Sequence, residues 1–493
     1  MAGIGFAINK IVREKKLTSK PRAFAYASIV TVAPLLFGEL VLLTIYSLSN
    51  LAKVTITDRN LIVAIITYGL LGSLFINGFV SLVISRYLSD KIFSRDLSNI
   101  LTSYLGSQFF SVFLGGILYG IFLLISRIGF IYGVLAWILF CEFLLSWNVI
   151  NFLTIINDYL GIVKAFFATI LTTLIMSSIF LLIHISVVVS LLAGIIFGYA
   201  SFLILATNLL CQQFPNKLNY NQMFDFLKYF DKHWKLAIIG LCTQLGLLGH
   251  IVVIWFSQIG QQVRGLFYIA PYYDLTVFLA SLTMLASTVQ FIISIEVDFF
   301  KSYRYYYLSF TGKCTLQEIR KAERDMTESL KKGMKQTVWV QLIVTLLSIS
   351  VGTSILNALP LGFNTTMNGY FRILCVAYAI YGLANIVALS TYYFGNLTGS
   401  YWTSITFAVL SILATVATLY TNTLFYGFGF LIATMLYFII SWINLEKITS
   451  NLMYQILGRQ PIVFSEKKGI FYRFAIFLNK KMLVFTKEVN YEE

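Results

Sequence analysis

From Ala23 almost to Trp442 the chain alternates between apolar runs of about twenty residues or more and shorter polar interruptions. Each run is long enough to cross a hydrocarbon core of about 30 Å as a helix. Helices are favoured because a span in lipid must satisfy its own backbone polar groups, and the short alternating segments of a transmembrane barrel do not occur. The runs fall at approximately 23–49, 60–86, 101–126, 128–156, 162–185, 188–209, 235–258, 275–297, 337–359, 371–393, 402–420 and 425–443, twelve in all. The first follows a basic segment ending at Arg22, exceeds the length of a signal h-region and lacks an evident small-residue cleavage site. It therefore reads as a retained first span.

Composition agrees. Hydrophobic residues make up 58% of the chain and charged residues only 12%, against about a quarter charged in a soluble domain. The expectation is an all-α integral membrane protein of about twelve transmembrane helices, multi-pass in a bacterial cytoplasmic (inner) membrane and without a soluble catalytic domain. Alternate loops fix its orientation. With the N-terminus in the cytoplasm, only Lys53, Arg59, Arg127, Arg264 and Arg372 fall outside, and the other 31 of the 36 basic residues fall inside. The positive-inside rule then places both termini in the cytoplasm. The net charge of +15 is accounted for by loops facing anionic membrane lipids, with no need for nucleic acid.

Residues 211–234 divide the spans into six and six, and both halves start in the cytoplasm, as in parallel repeats. The expected organisation is an N-terminal lobe at 1–210, a cytoplasmic linker at 211–234, a C-terminal lobe at 235–445 with a cytoplasmic loop at 298–336, and a tail at 446–493. Within the loop, Thr315 and Glu318 form a T-x-x-E capping box, predicting a helix over Ile319 to Lys335 that is dense in both charge signs. Its basic residues Arg320, Arg324, Lys331, Lys332 and Lys335 are either a solvated connector or a docking face for a cytoplasmic partner. From Gly469 to Lys487 bulky apolar residues alternate with Arg473, Lys480, Lys481 and Lys487, which predicts an interfacial segment.

Candidate chemistry is sparse. No phosphate loop, G-x-S-x-G, H-E-x-x-H or C-x-x-C motif occurs, the five cysteines are scattered, and the three histidines are isolated. The reading is a non-enzyme with no catalytic residues, no metal and no cofactor. Ionisable groups inside a membrane are costly and mark pathways or structural bonds. Glu39 lies in the outer half of the first span and Glu142 near the middle of the fourth. His250 in the seventh lies at nearly the depth of Glu39, and if the halves are repeats the two face each other across a central cleft. Asn77-Gly78 in the second span reads as a kink or a polar path, and Arg372 as an anion-attracting or snorkelling residue. Gly116-x-x-x-Gly120 and Gly194-x-x-x-Gly198 predict close helix packing.

Several stretches together carry a resemblance. They are the opening Met1-Ala2-Gly3-Ile4-Gly5-Phe6, Ala25-Tyr26-Ala27, Ser85 to Phe93 (SRYLSDKIF), Glu296 to Tyr307 with its Gly312 to Glu318 continuation, and Gln460-Pro461. In order and spacing the chain resembles the Pel exopolysaccharide transporter family, PelG, of the multidrug/oligosaccharidyl-lipid/polysaccharide exporter superfamily. One departure is Val32-Ala33-Pro34-Leu35-Leu36, where the family pattern is closer to Ser-Gly-Pro-Trp. The resemblance implies two six-helix lobes around a central cavity and export of a hexosamine-rich polysaccharide during biofilm matrix production. It implies a cytoplasmic glycosyltransferase as partner, with membrane scaffold proteins, some responsive to cyclic di-GMP. The alternatives are a lipid-linked oligosaccharide flippase, an ion-coupled small-molecule antiporter carrying its proton on Glu39 or Glu142, and a non-transporting scaffold.

Overall fold

The computed structural model describes residues 54–153, 159–214, 219–295, 299–310, 314–358, 363–395, 397–458 and 468–492. Glu39, the first predicted span and the opening motif lie outside them. Among the described residues eleven helices are long and apolar enough to cross a membrane. They coincide with the other eleven runs of the sequence. The protein is an all-α, multi-pass membrane protein, and its only described strands form one small hairpin.

The chain groups into two compact units. One comprises Pro34–Leu248, Gln261–Ile269 and Pro461–Glu493; the other includes Gly249–Gly260 and Ala270–Gln460.

The first unit contains α1 (Ile56–Phe93), α2 (Ile100–Ser126), α3 (Phe130–Leu153), α4 (Tyr159–Leu182) and α5 (Val187–Gln213). It also holds most of α6 (Lys228–Trp255), whose backbone breaks at His233 (φ −123°, ψ 33°), just before the apolar run begins at 235. Helix α1 starts on a Thr55 cap that accepts from Asp58 N–H, and its 38 residues reach about 57 Å, so it extends beyond the bilayer core. It runs through Asn77-Gly78 as one helix. Strands β1 (Gln261–Arg264) and β2 (Phe267–Ile269) form an antiparallel hairpin. The Tyr68 hydroxyl fixes it by accepting from Tyr268 N–H (3.0 Å) and donating to Leu266 C=O (3.3 Å). A β-carbon on Gly194 or Gly198 would overlap Ser177 or Thr173 of α4, so this G-x-x-x-G pair does serve close packing.

The second unit contains α7 (Pro271–Ser281), α8 (Met284–Ser294), α9 (Phe300–Ser309), α10 (Leu316–Leu347), α11 (Thr353–Ala358), α12 (Thr365–Tyr393), α13 (Leu397–Leu419), α14 (Phe428–Thr449) and α15 (Leu452–Gly458). The capping box forms as the sequence predicts: Thr315 N–H donates to Glu318 (2.7 Å), and Glu318 N–H to the Thr315 hydroxyl (3.4 Å). The helix it starts does not stop at Lys335. It runs on to Leu347 and passes through a π-turn, Ser348–Gly352, into α11. The loop helix and the following span are one element because a single stripe buries both: Ala322, Met326, Leu330, Met334, Thr337, Gln341 and Thr345 recur every three or four residues. Helix α16 (Ile470–Glu492), the last element of the chain, belongs to the first unit.

Candidate functional site

In the first unit polar side chains converge on α3. Trp147 and Asn151 are one turn apart, as are Ser73 and Asn77 on α1. The Trp147 indole donates to Ser73 Oγ (3.1 Å) and the Asn151 amide to Asn77 Oδ1 (3.4 Å). Towards α2, Asn148 donates to Ser107 Oγ (2.8 Å) and Gln108 Oε1 (3.2 Å), and Gln108 donates to the Leu145 carbonyl (3.2 Å). Glu142 and Ser146 follow one turn apart on α3. Glu142 Oε2, Ser146 Oγ and Asn148 Oδ1 are buried without a hydrogen-bond partner. Each such group costs about 1–3 kcal/mol relative to a satisfied one. At 100° per residue Asn148 shares the tract's side of α3 with Trp147 and Asn151, whereas Glu142 and Ser146 lie on a different face.

The chemistry of this tract is neutral: hydroxyls, amides and an indole. Among the described residues no Lys or Arg is buried. Of the residues singled out in the sequence, Asn77 is bonded within the tract, while Glu142 is buried on a different face of α3. Sequence reading missed Ser73, Ser107, Gln108, Trp147, Asn148 and Asn151. The available signal was Trp147-Asn148-x-x-Asn151, an amide pair in an otherwise apolar run.

In the second unit His250 is fully buried. Its Nδ1 lies 2.9 Å from the Tyr273 hydroxyl and its Nε2 3.3 Å from that of Tyr378, while its ring stacks on Phe430 at 4.0 Å. Nearby, Asp274 accepts from the Trp255 indole (3.0 and 3.1 Å) and from Ala270 N–H (3.0 Å), tying the start of α7 to the end of α6. His250 thus sits in a bonded aromatic cluster of its own unit. Arg372 is exposed on α12, and Arg320, Arg324, Lys331, Lys332 and Lys335 are all exposed on α10, away from its buried stripe.

The arrangement is that of a multi-pass, all-α membrane protein. Among solved structures, the chain is similar to an outward-facing multidrug resistance MATE family transporter of the MOP superfamily (TM-score 0.57, 12% identity, 87% of this chain and 96% of that one). It is also similar to an inward-facing form of such a transporter (TM-score 0.54, 11% identity, 85% and 95%). The lipid II flippase MurJ, in an inward closed conformation, matches with TM-score 0.54 and 13% identity over 94% of this chain and 99% of that one. At these identities the likeness is one of fold. No curated protein matches the sequence. The profile of the PelG family, described as "Putative exopolysaccharide Exporter (EPS-E)", matches residues 1–457. The chain belongs to the PelG family.

Proposed function

We propose that this membrane exporter moves a Pel-type, hexosamine-rich exopolysaccharide across the cytoplasmic membrane as a cytoplasmic glycosyltransferase makes it. The observation that carries the reading is the neutral polar tract on α3, with no buried Lys or Arg among the described residues. Hydroxyl and amide groups beside an indole suit sugar hydroxyls, whereas a lipid pyrophosphate calls for charge-assisted bonds from cations. Family membership and the MOP-superfamily fold support the exporter class. The exposed basic face of α10 is the docking surface assigned to the glycosyltransferase, and membrane scaffold proteins complete the assembly.

One observation favours a second reading. The unpartnered buried oxygen of Glu142 suits an ion-coupled antiporter, in which a proton or cation would take that position.

The test is secreted polymer from cells lacking the gene, complemented with the wild-type chain or with Trp147→Ala/Asn151→Ala, and quantified by a lectin against terminal N-acetylgalactosamine. Export restored by wild type and reduced at least tenfold by the tract variant, at equal membrane abundance, supports the reading. Normal polymer in the deletion strain removes the Pel assignment.

A further inference from the structure

Helix α16 begins beyond residue 457, where the family match ends, and its two faces differ. One face is bound to the first unit. Asp231 accepts from the N–H groups of Phe471 (3.3 Å) and Tyr472 (2.6 Å), capping the helix start. Two turns later Asn479 accepts from Phe224 N–H (2.9 Å) and donates to Asp225 (3.2 Å). Phe471 stacks on Phe230 at 5.2 Å, and Ala475 is fully buried between these anchors.

At 100° per residue the opposite arc carries apolar Ile470, Phe474, Ile476 and Phe477, with basic Arg473, Lys480 and Lys481 among them. All seven are exposed, Ile470 by 83% and Phe477 by 53%. No acidic residue occurs from Ile470 to Lys487. The acids that α16 meets, Asp225 and Asp231, lie on its protein-bound side. The outward face therefore combines large apolar groups with net positive charge, and the Lys481 ammonium lies 5.1 Å from the centre of the Phe477 ring.

We propose that this face is a binding site for anionic phospholipid, held in a fixed orientation by the Asp231 cap. Phe474, Phe477 and the two isoleucines enter the headgroup–acyl boundary, and Arg473, Lys480 and Lys481 reach lipid phosphates over their own apolar stems. An acidic protein partner would satisfy the three charges but would not account for four large apolar side chains on a protein already embedded in a bilayer. Each basic residue near an anionic surface contributes about 1 kcal/mol, about fivefold in affinity, so the three together are worth on the order of a hundredfold.

The test uses the full chain in native membranes, with benzoylphenylalanine at position 477 and intact-mass readout after irradiation. The expected product is a covalent adduct with phospholipid, mainly of anionic headgroup. It should fall at least tenfold in Arg473→Glu/Lys480→Glu/Lys481→Glu, with the melting temperature of the variant retained as a check on folding. Adducts with protein in place of lipid, an unchanged yield in the charge variant, or no adduct at all would each overturn the proposal. If the charge variant does not fold, Lys480→Gln/Lys481→Gln replaces it, and the same loss in direction is required.

Discussion

Gly78 of α1 and Gly240 of α6 meet backbone to backbone. A β-carbon on Gly240 would overlap the Gly78 carbonyl oxygen, and one on Gly78 would lie 2.8 Å from the Gly240 carbonyl oxygen and 2.7 Å from Gln244 Cγ. Two helices approach this closely in a membrane only where neither carries a side chain at the crossing. Relief for Gly240→Ala requires backbone movement, so it should destabilise the protein by about 2–3 kcal/mol. Gly78→Ala meets slightly more room and one flexible side chain and should cost less. Melting temperatures of the purified variants check the order; equal stability of all three proteins would show that the helices can separate freely.

Glu142 separates the two transport readings. If polymer synthesis supplies the driving force, Glu142→Gln keeps the shape and a hydrogen-bonding group at this position of α3 and should retain more than half of wild-type polymer output. If a proton or cation drives transport, the same substitution should abolish output at normal membrane abundance. Lectin-quantified polymer, normalised to the amount of protein in the membrane, is the measurement.

His250 is bonded to two tyrosine hydroxyls and stacked on Phe430 within one unit. Removing the ring leaves a cavity and two buried hydroxyls that each lose a partner. His250→Ala should therefore cost about 2–4 kcal/mol of stability, visible in the melting temperature. A residue acting on the polymer would instead lower export while leaving the melting temperature unchanged.

How far the sequence reads ahead follows from the range of each interaction. The apolar runs and the Thr315–Glu318 cap are local, and the eleven runs within the described residues and the cap appear in the structure where hydropathy and spacing place them. The continuity of α10 was hidden by charge. Nine Lys, Arg, Asp and Glu residues from Arg320 to Lys335 look like a soluble loop helix, yet the buried spacing through Met334 and Thr337 never breaks. The tract on α3 depends on Ser73, Ser107 and Gln108, tens of residues away, and no local pattern pairs them with Trp147 and Asn148. The docking of α16 spans some 240 residues, from Asp231 to Tyr472. An apolar–basic alternation announces an interfacial helix but not which unit holds it.

The exposed basic face of α10 gives a direct test of partner recruitment. Lys331, Lys332 and Lys335 project away from the stripe that packs α10, so Lys331→Glu/Lys332→Glu/Lys335→Glu should leave the fold intact. Reversing three exposed charges should reduce co-purification of the proposed glycosyltransferase partner several-fold, with the loss largest at low salt because such interactions are screened. Unchanged recovery of the enzyme would return this face to the role of a solvated connector.

Gly469 and Asp231 make the final prediction. A β-carbon on Gly469 would overlap the Asp231 carboxylate, the same group that caps α16 through Phe471 and Tyr472. Gly469→Ala therefore pushes the cap away, whereas Asp231→Ala removes it; loss of a cap costs about 0.5–2 kcal/mol. Both should loosen α16 from the first unit without unfolding the membrane helices, since the cap holds its first turn, while Asn479, the Phe471–Phe230 stack and Lys228 over the Tyr472 ring still tether it. Limited trypsin digestion should then cut faster at Arg473, Lys480 and Lys481 in either variant than in wild type, while the melting temperature changes little. Faster cleavage in Asp231→Ala but not in Gly469→Ala would mean that the carboxylate can shift aside and still cap the helix, which would confine the requirement to Asp231.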